Sequence, residues 1–295
     1  MIRRRRPSLD GMTREFDLRL GDGRTLHAYD TGDGRADDRL AVVWHHGTPN
    51  LGSPPAPLFA AADRLGLRWV SYDRPGYGGS TPDPGRDVAS AAACTAAVAD
   101  ALGIERFAVV GHSGGGPHAL ACAALLPERV AGVIAAASLA PYDAEGLDWY
   151  AGMADSGVAS LRAAAAGREA KKRHERSGAE YDPEFTPDDL AALAGEWHWL
   201  HSVVGPAAAA GPAALIDDDL AYVHPWGFDP ARITAPLLLL HGERDRVVPA
   251  AHGAWLARHC PGAELRLTPE DGHVSVLTGA ADALARLCER MADPA

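Results

Sequence analysis

The chain has 295 residues, 47% of them hydrophobic, with 28 Lys and Arg against 39 Asp and Glu and a formal net charge of -11 at pH 7. That acidic balance argues against nucleic acid as a partner, and no apolar run reaches the roughly 18 residues of a membrane span, so the length allows one large domain or one domain carrying an insertion. Cys94, Cys122, Cys260 and Cys288 are widely spaced, with no C-x-x-C pair and no histidine at metal-ligand spacing, so core thiols are expected rather than disulfides or a metal site.

The basic start "MIRRRRPSLDG" is not followed by an apolar segment of about 7 to 15 residues, so a cytoplasmic protein is expected rather than a secreted one. The Arg3 to Arg6 run, like Arg168 to Arg176, reads as a solvated basic stretch. "EFDLRL" and "RTLHAYD" alternate polar and apolar residues around "GDGR", Gly21 to Arg24, which predicts an antiparallel hairpin. Short apolar runs without polar alternation then recur at Leu40 to His46, Leu67 to Asp73, Arg106 to Ser113, Val130 to Leu139 and Ala235 to Gly242, with helical stretches between most of them. Strands buried on both faces and alternating with helices predict an α/β fold with a parallel sheet sandwiched by helices.

From about Asp143 to Asp229 no strand pattern is present, only Ala-rich or amphipathic helix interrupted by Gly and Pro. This segment is expected to form a helical cap (residues 143–229) inserted into a core built from residues 1–142 and 230–295. Within it "FTPDDLAALAGEWHWLHSVV" predicts a helix with Thr186 as N-cap, Pro187 at the first position, and Asp188 and Asp189 in the first turn, where the helix dipole favours them.

The chemistry centres on "VVGHSGGGPHAL", Val109 to Leu120. Glycines in a helix interior cost roughly 1 kcal/mol each relative to alanine, so this cluster needs a reason other than local stability. A G-x-S-x-G sequence after a strand and before a helix supplies one. The serine stands exposed on a sharp turn, and residues two before and two after it must be small. Gly111 and Gly115 meet that need, and Ser113 becomes the candidate nucleophile. The N–H of Gly114, at the start of the following helix, is placed to bind a developing oxyanion.

A serine of this kind requires a base and an orienting carboxylate from loops beyond later strands. "LLLLHGERDRVVP" offers Asp245 and "ELRLTPEDGHVSVL" offers His273, giving the order Ser113, Asp245, His273. His241, His252 and His112 are weaker base candidates, and Asp143 is the alternative acid. Asp271 reads as a turn residue. In "HHGTPN" the backbone N–H of Thr48 is the candidate second oxyanion donor, while His46 and Gly47 shape that loop. Asp73 and Arg74, in "YDRPGYGGSTP", are expected to lock loops together.

The pieces "HHGTPN", "YDRPGYGGS", "VVGHSGGG", "LLLLHGERDRVVP" and "EDGHVSVL" resemble, in order, those of the α/β-hydrolase superfamily. The resemblance covers the chain except the insertion. It implies an eight-stranded, mostly parallel sheet flanked by helices, a helical cap inserted after the sixth strand, the triad assigned above and no cofactor. Members that open epoxides or remove halides carry an aspartate where this chain has Ser113, which disfavours those activities. Proline iminopeptidases typically carry H-G-G-P-G where this chain reads "HHGTPN". Esterases and hydrolases of C–C bonds in dienoic acids share the same triad.

The expected activity is hydrolysis of a carboxylic ester, or a related acyl bond, of a small, partly apolar substrate through an acyl-enzyme. Alternatives on the same fold are an iminopeptidase-like or C–C bond hydrolase and a non-turnover ligand receptor. Trp149, Tyr150, Trp197, Trp199, Tyr222 and Trp226 concentrate in and around the cap. Trp149, Tyr150, Trp197, Tyr222 and Trp226 are expected to line the substrate pocket, with packing of the cap helices as their alternative use.

Overall fold

The computed structural model describes the backbone of residues 2–7, and residues 13–32 and 37–292 in full. The side chains of the Arg3 to Arg6 run lie outside the described residues. In chain order the strands are β1 (Ile2–Pro7), β2 (Arg14–Arg19), β3 (Thr25–Asp30), β4 (Leu40–His45), β5 (Leu67–Tyr72), β6 (Phe107–His112), β7 (Val130–Ala136), β8 (Leu237–Gly242) and β9 (Ala263–Thr268). The core helices are α1 (Phe59–Arg64), α2 (Ser90–Ala101), α3 (Gly115–Leu125), α9 (Ala250–His259) and α10 (Ala280–Ala292). Between β7 and β8 stand α4 (Asp155–Ala165), α5 (Arg168–Arg176), α6 (Pro187–Ala194), α7 (Leu200–Ala209) and α8 (Ala213–Tyr222), with no strand among the described residues of that stretch.

One sheet holds the strands in the order β1-β2-β3-β5-β4-β6-β7-β8-β9. The run from β5 to β9 is parallel throughout, while β1, β2 and β3 form an antiparallel edge that joins it through β3 and β5. The resemblance implies eight strands. These are β2 to β9, and β1 is a ninth that extends the sheet because Ile2 to Pro7 finds a free edge on β2.

The uninterrupted apolar runs are explained by burial on both faces. Phe107 and Val109 of β6 enter one core with Val133 and Leu239, whereas Ala108 and Val110 enter the other with Ile134 and Leu240. Helices α2, α3 and α9 cover the first face, and α1 and α10 cover the second. Side chains alternate along a strand, so a strand sandwiched between helices must be apolar at every position. The strands' carboxyl ends therefore meet on one rim, where the loops after β4, β6, β8 and β9 converge.

The single helix predicted from Pro187 onwards is broken. Helix α6 ends at Ala194, Gly195 leaves helical geometry at φ -112 and ψ -119, and a 3-10 turn over Glu196–Trp199 leads into α7. Glycine lowers the cost of that break, and the break lets Trp197 turn fully into the core against Trp199. Thr186 does cap α6: its hydroxyl accepts from Asp189 N–H at 3.0 Å while the Asp189 carboxylate accepts from Thr186 N–H at 3.0 Å.

Candidate active site

Strand β6 delivers its last residue, His112, to the rim, and Ser113 follows at φ +55 before α3 begins. Left-handed backbone at a non-glycine residue is strained, and here it projects the serine out of the turn. The neighbouring glycines are required by close approach. A Cβ on Gly111 would lie 2.2 Å from the Gly115 carbonyl oxygen, and one on Gly115 would lie 1.9 Å from that of His45. Gly114 faces Tyr222, whose hydroxyl lies 2.3 Å from the place a Cβ would occupy.

The Ser113 hydroxyl donates to His273 Nε2 at 2.9 Å, and His273 Nδ1–H donates to Asp245 Oδ2 at 2.8 Å. The other Asp245 oxygen accepts from Val247 N–H and Val248 N–H, both at 2.8 Å, which fixes the carboxylate plane. Asp143 lies exposed in the loop after β7 and contacts none of these groups. The backbone N–H groups of Thr48 and Gly114 carry no hydrogen bond among the described residues, and both residues border the cavity onto which Ser113 opens.

The weaker base candidates, and His46 in the neighbouring loop, are occupied by backbone partners. His241 Nε2–H donates to the Val248 carbonyl at 2.7 Å. His252 accepts from Ala140 N–H at 3.0 Å and donates to the Trp149 carbonyl at 2.9 Å. His112 Nε2–H donates to the His273 carbonyl at 2.9 Å, so this ring supports the His273 loop from below. His46 donates to Gly47 O at 2.8 Å and accepts from Arg74 N–H at 3.0 Å, shaping its loop.

Burial pushes His45 and His112 down to about 3, aided by Arg74 and by His273 respectively, and burial pushes His252 down to about 4. These rings are neutral in the fold, whereas unfolded histidine titrates near 6.5. As pH falls below about 6.5 the unfolded chain takes up protons that the fold refuses. Stability is therefore expected to be fully present above pH 7 and to decline steadily toward pH 3 to 4, measured as melting temperature across that range. A melting temperature flat from pH 7 to pH 4 would contradict neutral burial of these rings.

A network that sequence reading anticipated only in outline holds the Thr48 loop. Asp218 of α8, fully buried, accepts from Arg74 Nη2 at 2.6 Å, Arg86 Nη2 at 2.5 Å, Tyr77 Oη at 2.8 Å and Thr48 Oγ1 at 2.6 Å. Burial alone would raise its carboxyl, but the two guanidiniums hold it well below the usual range. Arg74 also donates to Gly47 O at 2.9 Å and Thr48 Oγ1 at 2.9 Å, and Tyr222 Oη stands 2.7 Å from the same hydroxyl. Asp73 ties the adjoining turns, accepting from Gly52 N–H at 2.6 Å and Gly79 N–H at 2.9 Å. Nothing in the local pattern around "LIDDDLAY" distinguishes Asp218 from its exposed-helix alternative.

The cavity above Ser113 measures about 540 Å³. Leu161, Leu193, Leu200, Val204, Val247 and Val274 supply its apolar wall, and Tyr222 borders it near Gly114. Trp149, Tyr150, Trp197 and Trp226 do not border it, which corrects the expectation for four of the five aromatic residues. Each is consumed in packing. Trp149 Nε1–H donates to Ala140 O at 2.9 Å, and Trp226 Nε1–H donates to Tyr222 O at 3.2 Å with its ring stacked on Phe228. Tyr150 donates to Tyr142 Oη at 3.2 Å beneath the Arg162 guanidinium, and Trp197 is sealed in the core. Trp149→Phe is accordingly expected to lower the melting temperature while leaving acyl-length preference unchanged, and a shifted preference would restore Trp149 to the pocket wall.

The charges on the cavity wall are Glu175, Glu180 and Asp219, with no Lys or Arg among the bordering residues. Lys171, buried behind them, spends its three donors on Asp219 at 2.6 Å, Glu175 at 2.7 Å and the Ser160 hydroxyl. No metal-ligating cluster occurs among the described residues.

Comparison with known proteins places this geometry among relatives. The family model for the alpha/beta hydrolase fold matches residues 41–280. A non-heme chloroperoxidase of Streptomyces lividans is 30% identical over 74% of this chain and 78% of its own. The pimeloyl-[acyl-carrier protein] methyl ester esterase of Nitrosomonas europaea is 29% identical over 86% of this chain and 94% of its own. A 2-hydroxy-6-oxononadienedioate/2-hydroxy-6-oxononatrienedioate hydrolase of Cupriavidus pinatubonensis is 29% identical over 89% of each.

Proposed function

This chain belongs to the alpha/beta hydrolase fold family, and on that premise we propose that it is a serine hydrolase that cleaves a carboxylic ester of a small, partly apolar, uncharged substrate. The observation that carries the reading is the hydrogen-bonded series Ser113, His273, Asp245 opening onto a largely apolar cavity. Residues 143–229 act as its cap, since α4, α6 and α7 contribute Leu161, Leu193, Leu200 and Val204 to the wall.

The serine oxygen attacks the acyl carbonyl as His273 Nε2 takes the hydroxyl proton, and Asp245 stabilises the imidazolium that results. The N–H groups of Thr48 and Gly114 receive the oxyanion of the tetrahedral intermediate, where a fixed donor is worth about a hundredfold to a thousandfold in rate. Collapse expels the alcohol with the proton from His273. Water then gives its proton to His273 and attacks the acyl-enzyme, releasing the acid and restoring the serine.

The Cupriavidus relative is named for dienedioates, which carry two carboxylates. Glu175, Glu180 and Asp219 border the cavity with no Lys or Arg beside them, and the single Lys171 behind the wall offsets only one of the three carboxylates, so the site disfavours a dianion and favours the neutral ester over C–C cleavage. Intact-mass labelling of the native protein with a fluorophosphonate, beside turnover of neutral p-nitrophenyl esters and of a dienedioate, tests the reading. A single adduct with turnover of the neutral esters alone is expected. Labelling with dienedioate turnover alone would move C–C hydrolysis to the front, and no adduct at all would favour a ligand-binding protein.

A further inference from the structure

Asp189 belongs to the first turn of α6, yet its carboxylate is buried to 1% exposure beneath the loop that carries His273. Oδ1 accepts from Val274 N–H at 2.7 Å, from Ser275 N–H at 2.8 Å and from the Ser275 hydroxyl at 3.0 Å. Oδ2 accepts from His273 N–H at 3.2 Å as well as from Thr186 N–H. Three successive backbone N–H groups thus converge on one carboxylate from a different part of the chain. The approach is close enough that a Cβ on Gly272 would lie 2.0 Å from Asp189 Oδ2. Burial raises its carboxyl, but the N–H groups of Ser275, Val274 and Thr186 more than offset that and keep it ionised.

We propose that Asp189 is a positioning residue for His273, so that docking of α6 on the core is a condition for an assembled catalytic series. The proposal rests on the reading of His273 as the general base. His273 is gripped on both sides of its own backbone, its N–H by Asp189 and its carbonyl by His112. Without the carboxylate, three buried N–H groups lose their acceptor and the loop must move to find water. A base displaced by about 1 Å can cost roughly a hundredfold in rate even when the substrate still binds. The cap, on this view, does more than roof the cavity: it holds the proton acceptor in register with Ser113.

Asp189→Ala tests this against Thr186→Ala, which removes the N-cap hydroxyl of the same helix and leaves the grip on the loop intact. For Asp189→Ala, kcat on a neutral p-nitrophenyl ester and the rate of fluorophosphonate labelling should both fall about a hundredfold, with KM within about threefold of the native value. Thr186→Ala should melt at a lower temperature and yet label within about twofold of the native rate. Should Asp189→Ala fail to fold, Asp189→Asn decides: it keeps the volume and one acceptor oxygen for Val274 and Ser275, but sets its NH2 against the His273 N–H, which that group cannot accept, so a loss of kcat in the same direction is expected. Native labelling rates in either folded Asp189 variant, or an equal loss in Thr186→Ala, would overturn the proposal alone. A native protein that neither labels nor turns over ester would overturn the functional reading and this proposal with it.

Discussion

Ser113→Ala is expected to lower ester kcat by a factor on the order of 10⁶ and to abolish the fluorophosphonate adduct, while the protein remains folded. Among the described residues the hydroxyl is the one group bonded to His273 Nε2, at 2.9 Å, so without it the imidazole has no side-chain nucleophile to activate. The same position carries a cost to stability. Ser113 sits at φ +55, where a side chain is unfavourable by about 1 to 2 kcal/mol, so Ser113→Gly should raise the free energy of unfolding by about 1 kcal/mol while remaining inactive. Alanine keeps the Cβ and therefore the strain. Comparing the three proteins by urea unfolding and by ester turnover separates the two roles, and ester turnover at the native rate in Ser113→Ala would remove Ser113 from the mechanism.

Asp218→Ala is expected to have the largest effect on stability, about 3 to 5 kcal/mol in urea unfolding. Its carboxylate is the shared counter-charge of Arg74 and Arg86, whose side chains are each only 2% exposed. Truncation leaves two guanidiniums buried without an anion, and it also frees Thr48 Oγ1 and Tyr77 Oη. Activity should fall beyond the loss of folded protein, because Arg74 and Thr48 together set the loop whose N–H is assigned to the oxyanion. An unfolding free energy within about 1 kcal/mol of the native value, on the scale expected of an exposed helix residue, would show that water reaches the two arginines.

Much of this was legible in the chain itself because it depends on local geometry. The strand runs are readable because both faces of a central parallel strand are covered, and apolar residues at every position leave few other uses for such a segment. Gly111, Ser113 and Gly115 are readable because a turn that tight leaves contacts near 2 Å for any Cβ, so the glycines announce the backbone before any coordinates are known. Asp245 and His273 follow from their place just past a strand's carboxyl end. The ninth strand was missed because a run of arginines has no apolar face to betray its pairing. The helix break at Gly195 was missed because the apolar spacing continues across it.

Sequence by itself thus determined the parallel strands of the sheet, the elbow bearing Ser113 and the chain order of the groups around it, since each is set by contacts between near neighbours or by a strand's two faces. Tertiary structure alone decided what the helical segment does. Its tryptophans satisfy the same hydrophobic demand whether they border a cavity or seal a core, and only the packing of α4 to α8 chose the core for Trp149, Trp197 and Trp226. Asp189 and Asp218 read as ordinary helix carboxylates until the fold brings them against residues 84 and 144 positions away. A carboxylate's role is fixed by the donors that surround it in space, and for these two residues most of the donors come from distant parts of the chain.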